Sequence, residues 1–155
     1  IDMRWVHSTL DGEEVALFLA MTPTDQAHSI EVARRAVAAH HDGLDAAIED
    51  LAGAGLLHDV GKADAKAGVV LRVVSTLIGP VVSDDRALGW AARDGVFGRL
   101  GRQLSYPALG AERLAAAGSR RLFVQWAAEH HLPESRWTIP APVGRILQQA
   151  DNASS

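Results

Sequence analysis

The chain contains no cysteine. Disulfides, thiolate metal sites and cysteine nucleophiles are all excluded by that one absence. Lysine is nearly as scarce, with two lysines against 13 arginines, a bias that reads as genome composition rather than function. No run of Lys or Arg occurs and the formal net charge is −4, so binding to a nucleic-acid backbone is not favoured. Long hydrophobic runs are missing too. The most apolar stretch, 67–82, is interrupted by Arg72 and Pro80, and it is too short and too polar to span a bilayer. The first residues, Ile1-Asp2-Met3-Arg4, lack the apolar core of a signal peptide. The expectation is a cytoplasmic protein with neither membrane nor nucleic acid as partner, its oligomeric state left open. No stretch alternates apolar and polar residues in the manner of a strand, and there is no repeat or low-complexity tract.

What is present suffices for a packed core. The 155 residues are about one domain's worth, with 48% hydrophobic and 22% charged residues. Residues 1–10 carry no clear pattern. A first helix is expected over 11–21, and residues 1–21 then form an N-terminal segment of the same domain. Thr22-Pro23-Thr24-Asp25 is a helix start, with Thr22 as N-cap and Pro23 at the first helical position. That helix should run to about His41 and stop at Asp42-Gly43. Further helices are expected over 44–59, 67–78, 83–100, 106–117, 120–131 and 143–153, with Ser119 able to cap the one over 120–131. The fold class is therefore all-α, a single-domain helical bundle.

The chain is organised around Leu56-Leu57-His58-Asp59-Val60-Gly61-Lys62, which follows the small apolar run Ala52-Gly53-Ala54-Gly55. Leu44, Ile48, Leu51, Gly55 and His58 recur at the spacing of a core-facing helical stripe. A histidine and a carboxylate in such a place need partners, because burying them unpaired costs several kcal/mol. Other helices deliver similar groups to their core faces. His28 aligns with Val32 and Ala36; Phe123, Trp126 and Ala127 lead to His130; Leu147 leads to Asp151. A lone histidine of this kind would be a core residue bonded to a backbone carbonyl. Several, on separate helices, point to a shared cation. Imidazole and carboxylate without sulfur suit Mn²⁺, Fe²⁺, Co²⁺, Ni²⁺ or Mg²⁺ with open water positions.

The order His28, then His58-Asp59, then Asp151 resembles the signature of the HD domain, the metal-dependent phosphohydrolase superfamily. The flanking Gly61-Lys62 and the final Ala150-Asp151-Asn152-Ala153-Ser154 add to the likeness, which spans roughly residues 22–153 of a 22–155 domain. The resemblance implies a helical bundle of the HD-domain type. It implies that His28, His58, Asp59 and Asp151 hold one divalent ion, that Asp59 and Lys62 serve catalysis, and that the substrate is a small phosphate ester, for example a nucleotide. Members with two metals carry a His-Pro-x-x-Gly-Ala segment. Here that segment reads Tyr106-Pro107-Ala108-Leu109-Gly110-Ala111, and His130 and His131 remain candidates for a second ion or for substrate. Tyr106 is then an accessory hydroxyl or a packing residue. Two rival readings are a di-iron oxygenase of the same superfamily and a non-catalytic metal-binding sensor or scaffold.

Other residues have plainer explanations. His41-Asp42 reads as surface capping at a helix C-terminus. Asp25, one turn before His28, either orients that imidazole or caps its helix, with capping favoured. Arg34-Arg35 and Arg120-Arg121 could attract phosphate, but solvated helix faces explain them equally.

Overall fold

The structure is a computed structural model that describes residues 2–65 and 107–154. The segments expected to be helical over 67–78 and 83–100, together with Tyr106, lie outside the described residues. Within them the chain is helical, with no strand.

Helix α1, Met3–Thr9, arises where the sequence showed no clear pattern. Asp2 caps it by accepting from the Trp5 amide, and Val6 is its buried residue. Helix α2, Gly12–Leu19, is opened by Asp11 and Glu14, each accepting the other's backbone N–H in a capping box. Helix α3, Pro23–Ala38, starts at the expected Thr22 cap but ends three residues before His41. Gly43 makes the following turn with φ +90°, a conformation that favours glycine.

Helix α4, Ile48–Leu57, begins later than expected, with Ala47 at the N-cap and no side chain to cap it. It ends at His58, so Gly61 does not act as its stop; residues 58–61 form turns and lead into the short α5, Lys62–Ala65. Helix α6 covers 107–116, α7 is Arg121–Glu129, a 3₁₀ turn covers Glu134–Arg136, and α8 is Ala141–Asn152. Arg120, not Ser119, occupies the N-cap of α7. The Ser119 hydroxyl is buried with no hydrogen-bond partner among the described residues, and the Ser119 amide closes the α6 C-terminus onto the Leu114 carbonyl at 3.0 Å.

Helix α4 is the axis of the molecule. The sequence suggested one apolar stripe, yet every residue from Leu51 to Gly61 is buried. Such a helix, apolar all round, must be surrounded by others, and α1, α2, α3, α7 and α8 all pack on it. Its small residues set the spacing. A Cβ on Gly55 would sit 2.6 Å from the Ala33 Cα of α3, and one on Gly53 would sit 2.1 Å from the Phe123 ring of α7. Those two close approaches bring α3 and α7 against the end of α4 that carries His58. Trp126, Phe18, Leu51, Leu56, Leu57, Leu114 and Leu147 fill one continuous core.

Candidate metal centre

Four elements meet at the C-terminal end of α4. The α4 exit carries His58 and Asp59, both fully buried. Helix α3 contributes His28 from its second turn, half-buried. Helix α8 contributes Asp151 from its last turn, and the end of α7 contributes His130, buried. Gly110 of α6 lies against the turn itself, its Cβ position 3.0 Å from the Gly61 amide nitrogen. Helix α6 thus borders the His58–Lys62 turn.

The three imidazoles are oriented in the same way. His58 Nδ1 lies 2.8 Å from the Gly55 carbonyl, His28 Nδ1 3.3 Å from the Ser154 carbonyl, and His130 Nδ1 3.1 Å from the Ala127 carbonyl. A carbonyl only accepts, so each Nδ1 carries a proton, and each Nε2 is the nitrogen that faces the carboxylates and could be given to a cation. The Nε2 atoms face two carboxylates. His28 Nε2 is 3.0 Å from Asp151 Oδ1 and 3.9 Å from Asp59 Oδ2; His58 Nε2 is 3.4 Å from Asp59 Oδ2 and 3.7 Å from Asp151 Oδ1. His130 Nε2 faces the other oxygen, Asp59 Oδ1, at 3.6 Å.

These separations suit a cation. Donor atoms about 2.1 Å from one ion lie roughly 3.0–3.4 Å from each other. One ligand atom from each of His28, His58 and Asp59 falls within 4.8 Å of the others, and Asp151 reaches the same two imidazoles. Asp59 supplies a second sign. Its Oδ1 is buried without a hydrogen-bond partner among the described residues, although buried acceptors are rarely left so. The set His28, His58 and Asp59 could therefore hold a metal ion, with Asp151 beside it.

The electrostatics match. Burial works to raise the Asp59 carboxyl, but His58, His130 and Lys62 outweigh it and hold that group well below the usual carboxylate range. Asp151 is likewise held down to about 2, its burial offset first by His58. Burial opposes a charge on His58, yet Asp59 and Asp151 leave its pKa raised. His130 is lowered by burial, and His131 by the desolvation of the ring where it meets the cluster and by the adjacent His130. A buried, strongly shifted group of acids and imidazoles in a cleft is what functional sites require.

A cavity of about 340 Å³ opens on this cluster, lined by His28, Asp59, Asp151, Lys62, His131 and the first turn of α3. Lys62 donates to Asp59 Oδ2 at 2.5 Å. Of the two adjacent histidines, His130 enters the cluster; His131 has its outer side exposed and borders the cavity, its ring tilted 42° against that of His130 with centroids 4.1 Å apart. Asp25 also lines the cavity, while its carboxylate accepts the Thr22 hydroxyl at 2.6 Å. His28 Nδ1 faces the Ser154 carbonyl at 3.3 Å.

His41 and Asp42 are exposed, with His41 Nδ1 3.1 Å from the Asp42 carbonyl, away from the cluster. The arginines are on solvated faces: Arg34 pairs with Asp2, Arg35 with Glu31 and Arg120 with Asp50. Sequence reasoning did not find Ser154 or the carbonyls of Gly55 and Ala127, since a backbone acceptor has no residue type to betray it. No described helix is long and apolar enough to cross a membrane. Compared with protein-family models, curated proteins and solved structures, the chain matches none.

Proposed function

We propose that the protein is a metal-dependent phosphohydrolase of the HD-domain type, acting on a small phosphate ester such as a nucleotide. The observation that carries this reading is the convergence of His28, His58, Asp59 and Asp151, the residues in the order H…HD…D, beside a cavity that also holds an ammonium group. His28, His58, Asp59 and Asp151 would hold a divalent ion, Mn²⁺, Fe²⁺, Co²⁺, Ni²⁺ or Mg²⁺ by their chemistry. Such an ion supplies Lewis acidity toward a phosphoryl oxygen and toward water.

The chain's own residues do the rest. The Gly55, Ala127 and Ser154 carbonyls hold the Nδ1 protons, so that Nε2 is the atom each imidazole would give to the ion on losing its second proton. Asp59, buried and ionised, anchors the charge balance. Lys62 lies within reach of a phosphate oxygen in the same cavity. At about 340 Å³ the cavity is in the range of small-molecule sites.

Purified protein assayed with Mn²⁺, Co²⁺, Ni²⁺ or Mg²⁺ is expected to hydrolyse at least one phosphomonoester, cyclic nucleotide or nucleoside triphosphate, with Asp59→Ala inactive. No turnover above that control, with any metal, counts against the proposal. One observation favours a second reading, a di-iron oxygenase. His130 addresses the oxygen of Asp59 that the other two histidines leave alone. Two irons per chain in the protein as purified would move the assignment there; a single ion would not.

A further inference from the structure

Asp59 Oδ2 is crowded by positive and electron-pair donor groups at once. The Lys62 ammonium is 2.5 Å from it, His58 Nε2 3.4 Å and His28 Nε2 3.9 Å. Asp59 is 2% exposed as a side chain, whereas Lys62 is 24% exposed and borders the cavity. The lysine is not held there by chance of sequence distance alone. The Lys62 amide donates to the Asp59 carbonyl at 2.9 Å, which closes the turn and sets the ammonium over the carboxylate.

We infer that Lys62 stands in for the cation on Asp59 Oδ2 and is displaced when a divalent ion binds, which frees its ammonium to face the cavity. This rests on reading the cluster as a cation site. Two positive charges on one desolvated oxygen repel strongly. The histidines are pinned by backbone carbonyls and Asp59 is enclosed, so the group able to yield is the one on a flexible four-carbon stem with an opening beside it. The consequence is ordered binding. A metal ion both fills the cluster and releases the single lysine charge that borders the cavity among the described residues. An anion such as a phosphate is then met by two positive groups in place of none. Linkage makes the effect reciprocal: if the ion weakens the Lys62–Asp59 pair, that pair weakens ion binding by the same factor.

Calorimetric titration of the metal-free protein with Mn²⁺ tests this without any turnover. Lys62→Met is expected to bind Mn²⁺ at least about 5-fold more tightly than wild type, and to bind inorganic phosphate less well once loaded. Equal or weaker Mn²⁺ binding by Lys62→Met overturns the exchange while leaving the cation site intact. No Mn²⁺ binding by wild type removes the cation site and the exchange together.

A second measurement uses wild-type protein only. Because the chain has just two lysines, Lys62 and Lys66, amine acetylation can be followed at each by mass spectrometry. Mn²⁺ is expected to raise the labelling rate of Lys62 severalfold relative to Lys66. A Lys62 rate unchanged or lowered by Mn²⁺ overturns the inference.

Discussion

At the scale of the residue, the cluster makes the pH response of the metal-free protein predictable. Asp151 is held down to about 2 from an ordinary 3.8, and Asp59 is lowered as well. Between those values the unfolded chain binds more protons than the folded one. Stability that is present above about pH 4 is therefore lost as the pH falls toward 2, by about 2 kcal/mol from Asp151 alone. His58 acts in the opposite sense. Its pKa is raised above 6.5, so its contribution is full below 6.5 and is lost as the pH rises through the raised value. His130 and His131, both lowered, work against His58: their contribution is present above 6.5 and is lost as the pH falls below it. The carboxylates therefore give the one-signed limb, and urea unfolding in chelator that showed no loss of stability between pH 4 and 2 would contradict it. Metal affinity should show the reverse of the His58 trend, weakening as the pH drops to 6 because the ion must expel that proton.

The same scale shows what the sequence could reveal. His28, His58 and Asp151 were legible because each continues a helical stripe, which periodicity reports, and Asp59 because it directly follows His58. His130 and His131 were not separable, since they are adjacent at a helix end where one residue of fraying exchanges their faces. The carbonyls that orient the rings were invisible for a different reason: every residue has one, and only the fold decides which is used.

At the scale of the element, two predictions concern how the site is held. Thr22 caps α3, its hydroxyl oxygen accepting the Asp25 amide at 3.2 Å while its O–H donates to the buried Asp25 carboxylate. Thr22→Ala should cost about 1–2 kcal/mol in urea unfolding, and a change below about 0.3 kcal/mol would show that the cap is idle. Gly55 sets the approach of α4 to α3, since its Cβ would meet the Ala33 backbone at 2.6 Å. Gly55→Ala should destabilise by about 1–3 kcal/mol through overpacking. It should also weaken metal binding, because the helices carrying His28 and His58 are pushed apart. Unchanged metal affinity in a destabilised Gly55→Ala protein would separate packing from the site.

Helix ends were the least legible feature of this layer. Helix α4 was expected from Leu44 but starts at Ile48, because Leu44 packs its side chain on the core from a non-helical segment. Helix α1 was missed because a seven-residue helix offers barely two turns of pattern, although Asp2 followed by Val6 and Leu10 at steps of four was a usable signal. The all-round burial of α4 was hidden too. A run such as Ala52-Gly53-Ala54-Gly55 scores as weakly apolar, and its meaning is close approach rather than hydrophobic bulk.

For the whole molecule, a cation bridging residues from α3, α4 and α8 would tie the bundle together. Binding to the folded state alone adds about 2.7 kcal/mol at a free concentration 100 times Kd. For a chain of this length that is a rise of roughly 5–10 °C in Tm. Thermal melts of the protein as purified, with and without chelator, should show the difference and its recovery on adding Mn²⁺ back. Identical melts would mean that no ion is bound to the folded protein. The all-helical character of the described residues was legible from the absence of alternation. The assembly around α4 was not, because it depends on which small residue faces which helix.

The hydrogen-bonded pairs at the site join positions far apart in the chain: His28 meets Asp151 across 123 residues and the Ser154 carbonyl across 126. During synthesis, a ribosome-bound nascent chain that still lacks α8 has His28 and the His58-Asp59 turn but neither of those partners. A cation shared by His28, His58, Asp59 and Asp151 would therefore find its full set of partners only once α8 has been made and has packed back on α3.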